Sequence, residues 1–418
     1  MAVAPPLTGQ PIGVIAVPHS SAQAEQALYC SAAIMAMSLL LQRFGLPFGG
    51  QSISVVGPLG LLVFAVFLAR GTLAFDRNRV ILYLALLTCA VLGMAWRATG
   101  LGWTGVEAST NSLLQFLVLT SVATLTFAEP VDETRFFRLI NQVFMLVAIA
   151  GLLQFCAQFV GLRLFSFTGL LPDAALFEQG YHLEIPVGIG ELLKSNGFFL
   201  VEPSVFSQLM ALALIIELVV LRRPLYLAAF AVGLLLAFSG TGWIVIATFV
   251  VAAPLGMGRR GLVLAAVVVV LLLALAGLAA VLAPDVMAVF QARLGEISTP
   301  GTSGHLRFIT PFWLLRDVFA ATPSAALLGI GSGAAERLTM PYEYNVNTPI
   351  KIALEYGVPA LVAYVLLFVV GRRTALQSAL VLPAIVLFLF TGGYQQFPPM
   401  IFMVLLLISI ARLTPSPR

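Results

Sequence analysis

A cation, two amides, a carboxylate and three hydroxyls crowd one stretch of a largely apolar chain, Lys194-Ser195-Asn196-Gly197-Phe198-Phe199-Leu200-Val201-Glu202-Pro203-Ser204-Val205-Phe206-Ser207-Gln208. Proline fits the first position of a helix, and a carboxylate just before it meets the positive end of the helix dipole, so Glu202-Pro203 reads as a helix start. Ser204 and Gln208 then share one face, with Ser207 beside them. In one reading these groups form a polar cavity, where Lys194 pairs with a phosphate, Glu202 acts on a hydroxyl, and Asn196, Ser204 and Gln208 supply binding contacts. In the plainer reading Lys194 sits in water and Glu202 is only a cap. The cost of placing polar groups at membrane depth keeps the first reading in play.

A second set follows downstream. Asn347, Lys351 and Glu355 recur every four residues, which puts them on one helical face. Lys351 and Glu355 can satisfy each other, whereas Asn347 and Lys351, nearer the helix start, are placed for a ligand. A helix is expected over 304–321, capped by Ser303, with a kink point at Pro311 and an apolar set of Phe308, Phe312, Leu315 and Phe319. On it, Arg307 can bind a phosphate through its planar fork, while Arg316 pairs with Asp317 or snorkels. His305 is either a base or a solvated loop histidine. Gly329-Ile330-Gly331-Ser332-Gly333 resembles a phosphate cradle but lacks the lysine and the strand–loop–helix setting of a P-loop, so a flexible turn is expected. His19 and His182 stand alone, and no His-x-x-x-His, Asp-x-Asp or Cys-x-x-Cys occurs, so neither a metal nor a cofactor is expected.

The elements that position these residues follow from composition. With 418 residues, 60% hydrophobic and 10% charged, the chain is too apolar for a water-facing fold and reads as an all-α, polytopic membrane protein. At about 20 apolar residues per crossing there are about twelve candidates: 26–42, 52–69, 80–96, 111–128, 138–161, 203–221, 225–238, 242–257, 261–283, 347–370, 375–391 and 398–412. Residues 1–25, with four prolines and no Lys or Arg, are expected to form a mobile tail, and 413–418 a cytoplasmic one. Placing the N-terminus inside gathers Arg70, Arg77, Arg79, Arg135, Arg138, Arg222, Arg223, Arg259, Arg260, Arg372, Arg373, Arg412 and Arg418 on the cytoplasmic side. Lys194, Lys351 and Arg307 then fall on the outer face, in or beside two long loops, 162–202 and 284–346, whose length and aromatic content suggest function. The net charge of +4 comes from scattered pairs with no basic patch, which argues against nucleic acid. Cys30, Cys89 and Cys156 all lie in apolar runs and support no disulfide framework. Bare midplane stretches argue against a transporter, which is kept as a rival together with a non-catalytic assembly subunit.

The stretch from Lys194 to Phe206 resembles the signature of the O-antigen ligase and O-antigen polymerase superfamily. Ser239-Gly240-Thr241-Gly242-Trp243 is similar to a second family block. A third comprises Gly304-His305-Leu306-Arg307, Trp313, Leu328 to Gly333, Asn347 and Glu355-Tyr356-Gly357-Val358-Pro359. The resemblance spans 194–360; the first half of the chain matches only as a set of crossings. It implies a metal-independent membrane glycosyltransferase of the C type, in a bacterial inner membrane, with its site on the periplasmic face. The implied partners are an undecaprenyl-diphosphate-linked glycan donor, a lipid-linked acceptor and the bilayer, with a chain-length regulator as a candidate. The family's two functional arginines fall on Lys194 and Arg307. Three departures stand out: the first of those arginines is a lysine, the arginine often found near Ser239–Gly242 is missing, and Val346 occupies the place of the ligase histidine before Asn347. The last favours a polysaccharide polymerase over a ligase acting on a lipid A-core acceptor. Lys194 and Arg307 would then stabilise the leaving diphosphate and Glu202 would act as base.

Overall fold

The computed structural model describes residues 21–415 apart from 49–50, 101–104, 178–182, 283, 372 and 393, and 69% of the chain is helical. His19, His182, residues 1–20 of the expected tail and residues 416–418 lie outside the described residues. Residues 21–25 are not tail: Ser21 Oγ accepts the Ala24 N–H at 3.1 Å and caps a helix that starts at Ala22.

The helices are α1 (Ala22–Leu40), α2 (Val56–Ala69), α3 (Arg77–Ala98), α4 (Thr110–Ser121), α5 (Glu133–Ala157), α6 (Pro203–Ile216), α7 (Pro224–Leu236), α8 (Thr241–Leu282) and α9 (Pro284–Gly295). There follow α10 (Ser303–Phe308), α11 (Thr310–Ala321), α12 (Ala325–Leu328), α13 (Thr348–Tyr356), α14 (Val358–Val369), α15 (Ala375–Ile385) and α16 (Pro398–Leu405). Among the described residues, four helical segments are long and apolar enough to cross a membrane: Arg77–Ala98, Glu133–Val160, Pro203–Leu221 and Thr241–Ala274. Shorter apolar helices cover Val56–Ala69, Pro224–Leu236, Val358–Val369, Ala375–Phe390 and Pro398–Ile410.

Two expected crossings take a different form. The stretch 347–370 is two helices, because Gly357 at φ 89° and Pro359 just inside the next helix end one and begin another. The run 241–282 is helical on both sides of Gly258, which leaves the helical region at φ 57° and ψ −137°. A side chain at Gly261 would stand 1.9 Å from Ala253 O. In a straight helix those residues would be ~12 Å apart, so the chain folds back here, as the separate apolar runs 242–257 and 261–283 imply.

The helix opened by the Lys194 stretch is the centre of the fold. Of the window in Pro203–Leu221, 72% is buried inside the protein, against 17–28% for the other three long segments. A helix apolar all round is one enclosed by protein, and α6 packs on α5, α7 and α8.

Three two-stranded ribbons, not expected of an all-α chain, tie helix ends together: β1 (Gly45–Phe48) with β2 (Gln51–Ser54), β3 (Leu73–Phe75) with β4 (Leu125–Phe127), and β5 (Val131–Asp132) parallel to β6 (Leu413–Thr414). Residues 413–414 of the expected tail are thus paired. The second and third ribbons lie where the arginine-bearing loops gather. Arg79 donates to Val370 O at 3.1 Å and Leu125 O at 3.0 Å, Arg373 to Ile408 O at 2.9 Å, Arg412 to Ala128 O at 2.9 Å and Arg260 to Val219 O at 2.9 Å. These cations satisfy main-chain carbonyls at the ends of helices and of β4. At the opposite end a second, smaller core forms from Leu314, Val318, Ile330, Leu338, Ile350 and Leu354 with their neighbours.

Candidate functional site

Pro203 occupies the first turn of α6 and Glu202 its N-cap position, as Glu202-Pro203 suggests, yet the Glu202 side chain caps nothing. Its Oε2 accepts the Ser204 hydroxyl at 2.7 Å and stands 3.9 Å from Arg307 Nη2. Ser204 is held in turn by Thr241, whose Oγ1 donates to Ser204 O at 3.1 Å. Thr241 Oγ1 lies 3.1 Å from Ser239 Oγ, and Ser207 Oγ donates to Ser239 O at 3.2 Å. Two of the three sequence blocks therefore meet at the head of α6.

The third block arrives through α10. The expected single helix 304–321 is broken at Ile309, and Pro311 starts α11 afresh; the N-cap is Thr302, not Ser303. The restart changes the buried stripe: α11 buries Leu314 and Val318, whereas Phe312 is exposed. Arg316 pairs with Asp317 at 2.8 Å, away from Arg307. Arg307 is set in place from behind, where Asn345 N donates to Leu306 O at 3.0 Å and Asn347 Nδ2 to Arg307 O at 3.3 Å. Asn347 Oδ1 meanwhile caps α13 by accepting the Ile350 N–H at 3.2 Å. His305 is buried, with Nδ1 3.1 Å from Ile297 O and its ring edge-on to Trp313 at 5.3 Å; it is not a solvated loop histidine. A carbonyl partner assigns the proton to Nδ1 and leaves Nε2 the basic nitrogen.

Lys194 is also buried, 6% exposed, and engaged by a further interaction within the protein, so the solvated reading does not hold. Its main chain pairs with Ile185, and that of Ser195 with Leu236 at the end of α7. Asn196 does not present its amide to a cavity. Its Oδ1 accepts Gln154 Nε2 at 2.8 Å and Phe198 N at 3.0 Å, and its Nδ2 donates to Phe165 O at 3.2 Å. Gln208 is fully buried within α6; its Oε1 is 3.5 Å from the Tyr394 hydroxyl and its Nε2 has no partner among the described residues. Lys351 Nζ donates to Glu336 Oε1 at 2.6 Å and Gln396 Oε1 at 3.4 Å, so its partners extend beyond Glu355.

The glycine-rich loop is neither a flexible turn nor a phosphate cradle. Gly329 to Ala335 are all buried, and the main-chain N–H groups of Gly333 and Ala335 are donated to the Glu355 carboxylate. Gly329 at φ 75° lies against α13 so closely that a Cβ there would sit 2.3 Å from Glu355 O. The loop thus holds a carboxyl group carried by the chain itself.

Three scaffold residues went unmarked in the sequence reading. Gln154 Oε1 accepts Ser195 Oγ at 2.9 Å and Asn196 N at 3.0 Å, while its Nε2 also donates to Leu164 O at 2.7 Å. Arg43, fully buried, donates to Leu200 O at 2.7 Å and Phe165 O at 2.6 Å. Desolvation pushes Arg43 down to about 10, so it remains a cation at neutral pH. Gln42 Oε1 receives Val201 N at 3.5 Å. Lone polar residues inside or at the rim of apolar runs were the available signal. No family model and no curated protein sequence matches this chain.

Proposed function

We propose that this chain is a membrane polysaccharide polymerase that transfers a glycan from a polyprenyl diphosphate to a lipid-linked acceptor. In this reading about twelve crossings of a C-type glycosyltransferase fold hold the Glu202–Arg307 end at the periplasmic face of a bacterial inner membrane, with the arginine-bearing loops on the cytoplasmic side. The carrying observation is that Arg307 and Glu202, from the two outer segments, meet at 3.9 Å at the head of the central helix. Such a pair sets a cation and an acceptor carboxylate where a leaving diphosphate and an attacking hydroxyl have to meet. Arg307 stabilises charge developing on the diphosphate, assisted by buried Lys194. Glu202 takes the proton of the acceptor hydroxyl, with Ser204 holding its carboxylate in place. Asn347 acts through Arg307, by fixing its main chain. The resemblance of 194–360 to the O-antigen polymerase and ligase signature supports the same chemistry.

The test is a gel of glycans extracted from cells carrying Arg307→Ala or Lys194→Ala at normal protein level. Loss of polymerisation leaves single repeats passed onward, and removal of one stabilising donor is expected to slow the reaction about 10²–10³-fold. Normal chain lengths in both variants would sink the assignment, and long polymer stranded on the carrier lipid would move it to the ligase branch.

A further inference from the structure

The arginine-bearing end of the bundle holds a second feature that glycosyl transfer does not use. An open cavity of about 420 Å³ is lined by Arg222, Arg259, Arg260, Val263 and Leu264. It lies at the far end of the central helical segment Pro203–Leu221, whose 19 residues put it ~28 Å from Glu202 at 1.5 Å per residue.

Two of its three cations, Arg222 and Arg259, are left without a counter-charge among the described residues. Glu217, the acid nearest in sequence, is taken up by Arg223 through Nε at 2.9 Å and Nη2 at 2.8 Å, and by Asn141 Nδ2 at 2.9 Å. Glu133 acts on Arg260 only through space, and its carboxylate accepts the Thr374 hydroxyl. Arg260 is anchored by its bond to Val219 O. Among the described residues, neither the Arg222 nor the Arg259 side chain has a hydrogen-bond or ion-pair partner. Arg222 further holds φ 56° and ψ 34° at the end of its helix, a left-handed position that glycine fills without strain.

The guanidinium groups of Arg222 and Arg259 beside Arg260 favour an anion in this cavity, and their forked donors match phosphate oxygens. The remaining wall is apolar: Val263 lines it, and Leu255 and Leu262 nearby are exposed, an outward surface suited to acyl chains. We infer that Arg222, Arg259 and Arg260 bind the phosphate of an anionic lipid headgroup, with its acyl chains against Val263 and Leu264. The site fastens the α7–α8 end of the bundle to its leaflet and does not depend on the enzymatic reading.

The full chain, purified in neutral detergent, is exposed to phosphatidylcholine alone or mixed with phosphatidylglycerol, and bound lipid is counted by native mass spectrometry. The wild type is expected to retain phosphatidylglycerol selectively, Arg222→Gln/Arg259→Gln to retain at least about tenfold less, as loss of two headgroup cations implies, and Arg222→Lys/Arg259→Lys to fall between. If the double glutamine variant does not fold, Arg259→Gln, whose side chain lies at the surface, gives the same reading. Inorganic phosphate that displaces the lipid at millimolar concentration would support the anion site and reassign its source to a free phosphate. Equal retention by the glutamine variants, or equal retention of phosphatidylcholine, overturns the inference.

Discussion

Arg307 Nη2 stands 3.9 Å from Glu202 Oε2, beyond hydrogen-bond range, and both side chains are partly exposed. A pair of that geometry is worth under about 1 kcal/mol. Arg307 can therefore exchange Glu202 for a stronger anion at little cost, and Glu202 is released as it does so.

This separates stability from activity at Glu202. Glu202→Gln keeps the Ser204 bond and is expected to shift the melting temperature little. It should lower transfer from a polyprenyl diphosphate donor about 10²–10⁴-fold, as loss of a general base does. Full rate in the purified variant would remove Glu202 from the chemistry and leave it a partner of Arg307.

Gln154 carries the opposite profile. Gln154→Leu strips the acceptor from buried Ser195 and Asn196, and the donor from Asn196 Oδ1 and the Leu164 carbonyl. Leaving those groups unpaired costs about 2–5 kcal/mol. Thermal unfolding in detergent should show a clear loss, and no change would show the loop to be held by other contacts.

Gly329→Ala tests the cradle around Glu355. The new methyl meets Glu355 O at 2.3 Å and the backbone stays at φ 75°, so both space and conformation oppose it. The expected penalty exceeds about 1 kcal/mol, read as reduced folded yield and melting temperature. An alanine variant as stable as wild type would mean that the loop can leave α13.

Acid and alkali act on the segment 284–346 through Tyr342 and Asp317. The Tyr342 hydroxyl donates to Asp317 Oδ2 at 2.8 Å, which, with Arg316 beside it, holds Asp317 below the usual carboxylate range. Desolvation, with Asp317 adding to it, pushes Tyr342 up to about 12. Asp317, depressed when folded, stabilises above its unfolded pKa near 4 and loses that contribution as pH falls through the folded value; Tyr342, raised when folded, stabilises below about 10 and loses it as pH rises through about 12. Melting temperature should therefore be flat between those limits as far as this pair is concerned. Asp317→Asn should narrow the gap to wild type only under acid, and a gap that changes across neutral pH would assign the dependence to other groups.

Local signals were legible in the sequence and long-range ones were not. Proline after Glu202, the Arg316-Asp317 neighbours and the apolar gap around Gly258 each encode their outcome within a few residues. The meeting of Arg307 with Glu202 depends on how the segments 162–202 and 284–346 fold over one helix, which no spacing encodes. The Asn196 amide looked available because its partners, Gln154 and Phe165, belong to a different crossing and a different loop. Gly357-Val358-Pro359 did carry the signal for the break between α13 and α14, but the apolar run across it masked that signal.

The enclosure of α6 bears on how the protein meets membranes of different thickness. A helix that touches lipid adjusts to a thinner or thicker bilayer by tilting. The central segment is mostly walled off by protein, so its inclination is dictated by α5, α7 and α8. In a bilayer, mismatch would fall on the more exposed segments Arg77–Ala98, Glu133–Val160 and Thr241–Ala274, and the height of Glu202 would follow its protein neighbours.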